Sequence, residues 1–296
     1  MMNVKNLAAS LLLTMNMASL AAEPAKVVLP QFTPAWTLSE GLDTPESVIY
    51  DAKNKRLYVS NVQGVPLEKD GKGYISVVSL EGKIINKIWV KDLNAPKGMA
   101  IVGDMLYVSD IDTLVAISIS DGKVTQRYPA AGSQFLNDVT ADKQGNVYVS
   151  DMFTDSLWCL CKGKFELWLH DAALESPNGV FAEEKRLVVG TWGIRSEGFA
   201  TTRVGYLKAV NLSDKKISPI SDKPVGNLDG VMSDGAQGYL ATDWMAGKMF
   251  YFDPTGKAHE ALKLSQGSAD ASYIADKQLL LVPMMKENKL MAFKKN

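Results

Sequence analysis

Six polar side chains recur at one place in a repeated pattern, and most are of the types that bind a hard cation. They are Glu46, Lys97, Asn137, Asn178, Asp229 and Asp270, separated by 51, 40, 41, 51 and 41 residues. Each precedes a small residue and a short apolar run. The copies read Pro45-Glu46-Ser47-Val48, Pro96-Lys97-Gly98-Met99, Leu136-Asn137-Asp138-Val139, Pro177-Asn178-Gly179-Val180, Leu228-Asp229-Gly230-Val231 and a weaker Ala269-Asp270-Ala271-Ser272. Carboxylate and amide oxygens around one small opening suit divalent ions, calcium above all because it accepts amide oxygens and irregular geometry. A metal held by Glu46, Asn178 and Asp229 has its charge matched by two carboxylates. Magnesium, manganese and zinc are alternatives in the same shell. An isolated Asn-Gly or Asp-Gly is ordinarily a turn that bonds its own backbone. Recurrence in register with Glu46 favours a site. Asp110, Asp151 and Asp243, which follow second strands, are expected only to bond loop backbone.

The elements that must position these residues follow from the repeat. A unit of about forty residues with several short strands indicates propeller blades, and two units carry insertions of about ten residues. In blade 3 the pattern predicts strands over 138–141, 147–150, 156–160 and 165–169, separated by turns at Lys143-Gln144-Gly145-Asn146 and Lys162-Gly163-Lys164. Helical periodicity is nearly absent. The sixth unit has only three strands, the third over 289–293, and the segment Ala35–Leu38 can supply its missing outer strand. Joining both ends in one blade removes exposed edges. The fold expected is therefore an all-β, six-bladed β-propeller whose last blade is closed by an N-terminal strand.

In such a blade the loop entering the inner strand lies at one mouth of the central channel, so all six polar residues are expected there together. The insertions Val62–Tyr74 in blade 1 and Trp192–Tyr206 in blade 4 emerge at the same mouth from opposite sides of the ring. Trp192, Phe199, Trp244 and Phe135 are candidates for an apolar wall around the polar centre. Lys97 is either the partner of Glu46 or Asp270 or the anchor of an anionic substrate group. The only histidines, His170 and His259, fall near outer strands, so a histidine base at the mouth is not expected.

The motifs Pro45-Glu46, Leu136-Asn137-Asp138, Pro177-Asn178-Gly179 and Leu228-Asp229-Gly230, in this order, resemble the signature positions of the gluconolactonase and regucalcin-like propellers. The resemblance covers essentially the whole chain after residue 22. It implies that Glu46, Asn178 and Asp229 bind one divalent cation, that Asp229 is the general base, that Asn137 contacts substrate, and that the reaction opens a sugar lactone or another cyclic ester. The chemistry agrees with first principles: a metal polarises a lactone carbonyl, and a carboxylate deprotonates the attacking water. Phe135 departs from the family, which often carries Arg two residues before the substrate-binding Asn. With Lys97, it sets sugar specificity in question.

Residues 1–22 have the layout of a secretory signal. Lys5 forms the n-region, Leu7 to Leu13 with Met15 and Met17 the apolar stretch, and Ser19-Leu20-Ala21 the cleavage signal, with cutting near Ala21 or Ala22. A periplasmic or secreted location is expected, with one domain over 23–296. Without the signal the formal charge moves from −1 to −2. No basic run marks a nucleic-acid partner, and no later apolar stretch is long enough to cross a membrane. A monomer acting on a small molecule is expected. Cys159 and Cys161 are read first as two packed thiols, with a strained or redox-active pair and metal binding as alternatives. The expected function is metal-dependent lactone hydrolysis. Its rivals are a non-catalytic ligand- or partner-binding propeller with a structural metal, and a lyase or synthase on a related propeller.

Overall fold

The short apolar runs form strands because each is buried on both faces between neighbouring blades. The second strand of blade 1, Arg56–Asn61, and the third, Gly73–Ser79, are buried almost throughout, whereas the outer strand of blade 3, Lys164–His170, is largely exposed. The computed structural model describes residues 28–296, so the expected signal segment 1–22 and its cleavage point lie outside the described residues. Six four-stranded antiparallel sheets and one two-stranded hairpin account for the strands. Each seam between successive blades holds its own apolar cluster. Tyr58 and Ile75 of blade 1, for example, pack with Leu106 and Ile117 of blade 2. The fold is the expected six-bladed β-propeller.

Closure occurs as the pattern predicts. Phe32–Leu38 pairs with Lys289–Lys295, which pairs in turn with Leu279–Met284 and then Ser272–Ile274. The blade 3 strands run Leu136–Ala141, Val147–Asp151, Ser156–Cys161 and Lys164–His170, one or two residues longer than the pattern indicated. No helix among the described residues is long and apolar enough to cross a membrane.

One local device recurs. In blades 1 to 5 the pairing of inner and second strands slips by one residue at the start, as between Pro177↔Thr191 and Val180↔Val189. Such a bulge takes a residue out of the ladder and re-aims its side chain. The bulges hold Glu46, Lys97, Asn137, Asn178 and Asp229. Blade 6 corrects the sequence alignment. Its pairs Ser268↔Met284 and Ser272↔Leu281 contain the same slip, which makes Ala269, and not Asp270, the counterpart of Glu46. The bonding agrees, since Thr242 donates to the Ala269 carbonyl as Ser150 donates to that of Asn178.

Cys159 and Cys161, expected as packed thiols, are joined as a disulfide. Residues two apart on a strand point to one face. Their Cα atoms lie 5.4 Å apart, inside the roughly 4.4–6.8 Å that a disulfide spans.

Candidate functional site

Five of the six recurring polar residues meet. Glu46, Lys97, Asn137, Asn178 and Asp229 line one cavity of about 170 Å3 at a mouth of the channel. Asp270 does not join them. The one-residue offset in blade 6 turns it to the opposite mouth, where it and Asp138 line a separate cavity of about 460 Å3 and Ser47 donates to its carboxylate.

Two features hold the five in place. Ser150 donates to the Asn178 carbonyl at 2.6 Å and accepts from the Asp138 N–H at 3.0 Å, tying blade 3 to blade 4 at the bulge. Ser109 makes the matching bond to the Asn137 carbonyl. The glycine after Asn178 matters because the chains touch: a methyl on Gly179 would collide with the carbonyl of Asp229 and with Val231. Asp110 and Asp151 accept loop N–H groups of Ala95 and Phe135, and Asp243 accepts from Ala246, the loop-bonding roles expected of them.

The polar floor has unmet bonding. Glu46 Oε2, Asn137 Oδ1, Asn178 Oδ1 and Asp229 Oδ1 are buried and have no hydrogen-bond partner. Buried polar atoms are nearly always paired, because the loss of water otherwise costs about 1–3 kcal/mol each. Burial, then Asp229 and Asp270, push the Glu46 carboxyl well above the usual range, with Lys97 opposing. Burial and Asp270 likewise push Asp229 up, with the Asn178 amide opposing. Among the described residues no three His, Cys, Asp or Glu side chains gather as a metal site. The donor set here is instead two carboxylates and two amide oxygens, the mixture that calcium accepts. The residues fit a divalent cation.

Lys97 is 2% exposed and makes no ion pair with Glu46 or Asp270, the partners first expected of it. Its ammonium donates to the carbonyls of Ala95 at 2.9 Å and Pro66 at 3.1 Å and lies 4.6 Å from the Phe135 ring centre. Burial lowers its pKa to about 8 against the pull of Glu46 and Asp110. Phe135 stacks on Phe153 with centroids 4.7 Å apart, and Trp192 donates to the Phe199 carbonyl at 2.9 Å. The blade 4 insertion is a hairpin, Gly193–Arg195 with Thr201–Val204, and contributes Phe199 to the cavity. The blade 1 insertion contributes Pro66. His170 and His259 sit on outer strands, as expected.

Trp192 and Trp244, expected in the wall, belong to a second ring that the sequence did not reveal. The residue just after each second strand is apolar in every blade: Val62, Ile111, Met152, Trp192, Trp244 and Met285. Four of these line the cavity, while Val62 and Ile111 pack with Ala95 against Met285. The signal was present as an apolar residue one step beyond the Asn61, Asp110, Asp151, Thr191, Asp243 and Met284 positions. It was masked because Val, Ile, Met and Trp share no chemistry beyond being apolar.

These features define a six-bladed β-propeller with an oxygen-rich floor and an apolar collar at one mouth. No family model matches the sequence, and no curated protein is detectably similar to it in sequence. Solved structures resemble it in fold. A gluconolactonase from Xanthomonas campestris superposes with a TM-score of 0.67 at 14% identity, covering 92% of this chain and 97% of its own. Virginiamycin B lyase from Staphylococcus aureus, in a catalytically inactive form with quinupristin, gives 0.61 at 12% identity over 90% and 99%. A chain of a nidogen–laminin complex gives 0.58 at 17% identity over 74% and 80%. At such identities the likeness is one of architecture, which hosts both catalysts and binding modules.

Proposed function

We propose that this chain is an exported, monomeric, divalent-metal-dependent hydrolase of the lactonase type. The observation that carries the reading is the set of four partnerless buried oxygens, on Glu46, Asn137, Asn178 and Asp229, facing one small cavity. Glu46, Asn178 and Asp229 would hold the cation, calcium first among the candidates. When bound, it would polarise the substrate carbonyl and stabilise the negative charge that develops there. Asp229 accepts a proton from the attacking water, whose oxygen adds to the carbonyl carbon. The bond from that carbon to the ring oxygen then breaks, and the ring oxygen takes the proton back from Asp229. The product is a hydroxy acid. The Asn137 amide orients the substrate, and Lys97, the one cation among the described residues lining the cavity, suits the new carboxylate. Phe135 and Trp192 exclude water from one side. At about 170 Å3 the cavity is smaller than the roughly 300 Å3 of drug-sized sites, which favours a small ring.

Metal content and hydrolysis of a lactone panel, with and without chelator and for Asp229→Asn, test this reading. Turnover that vanishes with chelator and with the variant supports it. Bound metal without turnover of any lactone or ester would leave a binding propeller with a structural metal. Because a lyase shares the fold, hydrolysis in 18O-labelled water is decisive: the label enters a hydroxy acid by hydrolysis, whereas elimination yields an unsaturated acid without it.

A further inference from the structure

We infer that the substrate carries an apolar alkyl substituent on its ring, and is not a polyhydroxylated sugar lactone. The choice of a lactone ring rests on the proposed function; the apolar arm rests on the cavity itself.

Above the polar floor the walls offer almost no hydrogen bonding. The collar residues Met152, Trp192, Trp244 and Met285 all line the cavity, and both indole N–H groups are already engaged: Trp192 donates to the Phe199 carbonyl and Trp244 to the Met285 sulfur. Two of the three Lys97 donors are taken by the carbonyls of Ala95 and Pro66, and its remaining face meets the Phe135 ring. A sugar ring entering here would strip water from several hydroxyls and leave most of them unpaired, which disfavours it strongly. An alkyl chain loses nothing and gains contact with aromatic faces and thioethers.

The apolar surface continues outward from the cavity. Nine large apolar side chains are exposed among the described residues, and five of them lie on segments that contribute to the cavity: Val65 and Leu67 flank Pro66 on the blade 1 insertion, Ile194 and Phe199 are on the blade 4 hairpin, and Met245 follows Trp244 in blade 5. Exposed apolar residues scattered singly need no explanation, but a concentration at one opening marks a recognition surface. Phe199 and Met245 also line the cavity, so inner wall and rim are continuous.

The test measures binding apart from turnover. Lactams, in which nitrogen replaces the ring oxygen, are titrated into the calcium-supplemented protein and followed by tryptophan fluorescence, since Trp192 and Trp244 face the cavity. The series runs from δ-valerolactam through ethyl-, butyl- and hexyl-substituted rings, with gluconolactam as the polar comparison. Each added methylene is expected to lower Kd about three- to fourfold, the equivalent of about 0.8 kcal/mol per buried CH2, and gluconolactam is expected to bind no better than the bare ring. Phe199→Ser, at the half-exposed rim, should weaken the hexyl ligand more than the bare ring. A flat series, tighter gluconolactam, or no binding by any lactam would overturn the inference. Chain-length-dependent binding without turnover of the matching lactones would leave it standing and remove the hydrolase reading, so the two fail separately.

Discussion

Ser150 donates its hydroxyl hydrogen to the main-chain carbonyl of Asn178, 2.6 Å away across the seam between blades 3 and 4, while the side-chain oxygen of that asparagine has no partner. The main chain of a candidate ligand is thus fixed from the neighbouring blade, and its side chain is left to face the cavity. Ser150→Ala would strand both the Asn178 carbonyl and the Asp138 N–H. The expected loss is about 1–3 kcal/mol, read as a lower urea midpoint at unchanged slope. Unaltered stability would show that the hydroxyl is not the tie.

Gly179 allows the inner strands of blades 4 and 5 to touch beside Asp229. A methyl there collides with main-chain atoms that cannot rotate away. Gly179→Ala is expected to cost about 1–3 kcal/mol through overpacking and to abolish any rise in Tm caused by calcium, since Asn178 and Asp229 are pushed apart together. In the parent protein calcium at a hundredfold excess over Kd should add about 2.7 kcal/mol. Differential scanning fluorimetry with and without calcium compares the two. A variant that keeps the calcium shift would separate the glycine from the site.

Far from the mouth, Asp253 links stability to pH. Burial pushes its carboxyl up, but hydrogen bonds from the Thr255 hydroxyl and His259, with the N–H groups of Thr255 and Lys257, outweigh this and hold it at about 2. The folded value lies below the ordinary 3.8, so the unfolded chain binds the proton more readily. The stabilisation is therefore full above about pH 4 and is lost as pH falls through about 2. Asp253→Asn should cost on the order of 1 kcal/mol at pH 6 after allowance for solvent screening, with the difference shrinking between pH 4 and 2. A difference constant across that window would contradict the assignment.

The closing strand carries a further prediction. Trp36 donates from its indole to the Leu80 carbonyl at 2.9 Å, and its ring abuts Gly82, whose φ of +76° already favours glycine. Trp36→Ala should lower stability by about 2 kcal/mol through lost apolar burial and one lost hydrogen bond. It should also increase self-association at raised temperature, because a loosened Phe32–Leu38 bares the edge of Lys289–Lys295. Thermal melts followed by light scattering test both.

Blade number, strand order, closure and the lining role of Glu46, Lys97, Asn137, Asn178 and Asp229 were legible in the chain. Each rests on local pattern repeated in register: an apolar run, a turn, and a polar residue at a fixed step before the run. Four aromatic wall residues could be read as well: Trp192 and Phe199 from the blade 4 insertion, and Phe135 and Trp244 from their places beside the repeated motifs.

Asp270 was misplaced for a physical reason. Its unit, Ser268-Ala269-Asp270-Ala271, lacks the Pro or Leu that anchors the other copies, and only the pairing of Ser268 with Met284 reveals the slip that makes Ala269 the true counterpart. Since alternate residues of a strand face opposite ways, one step moved the carboxylate from one mouth to the other. The partners of Lys97 were equally beyond the sequence. The acids within its electrostatic reach are predictable from the repeat, but the carbonyls of Ala95 and Pro66 and the face of Phe135 are brought to it by three separate segments. The ring and the polar floor at its mouth follow from local periodicity and are therefore written in the chain. Which polar atoms were left without partners, and that apolar walls rise over them, was decided only when the six blades closed around one axis.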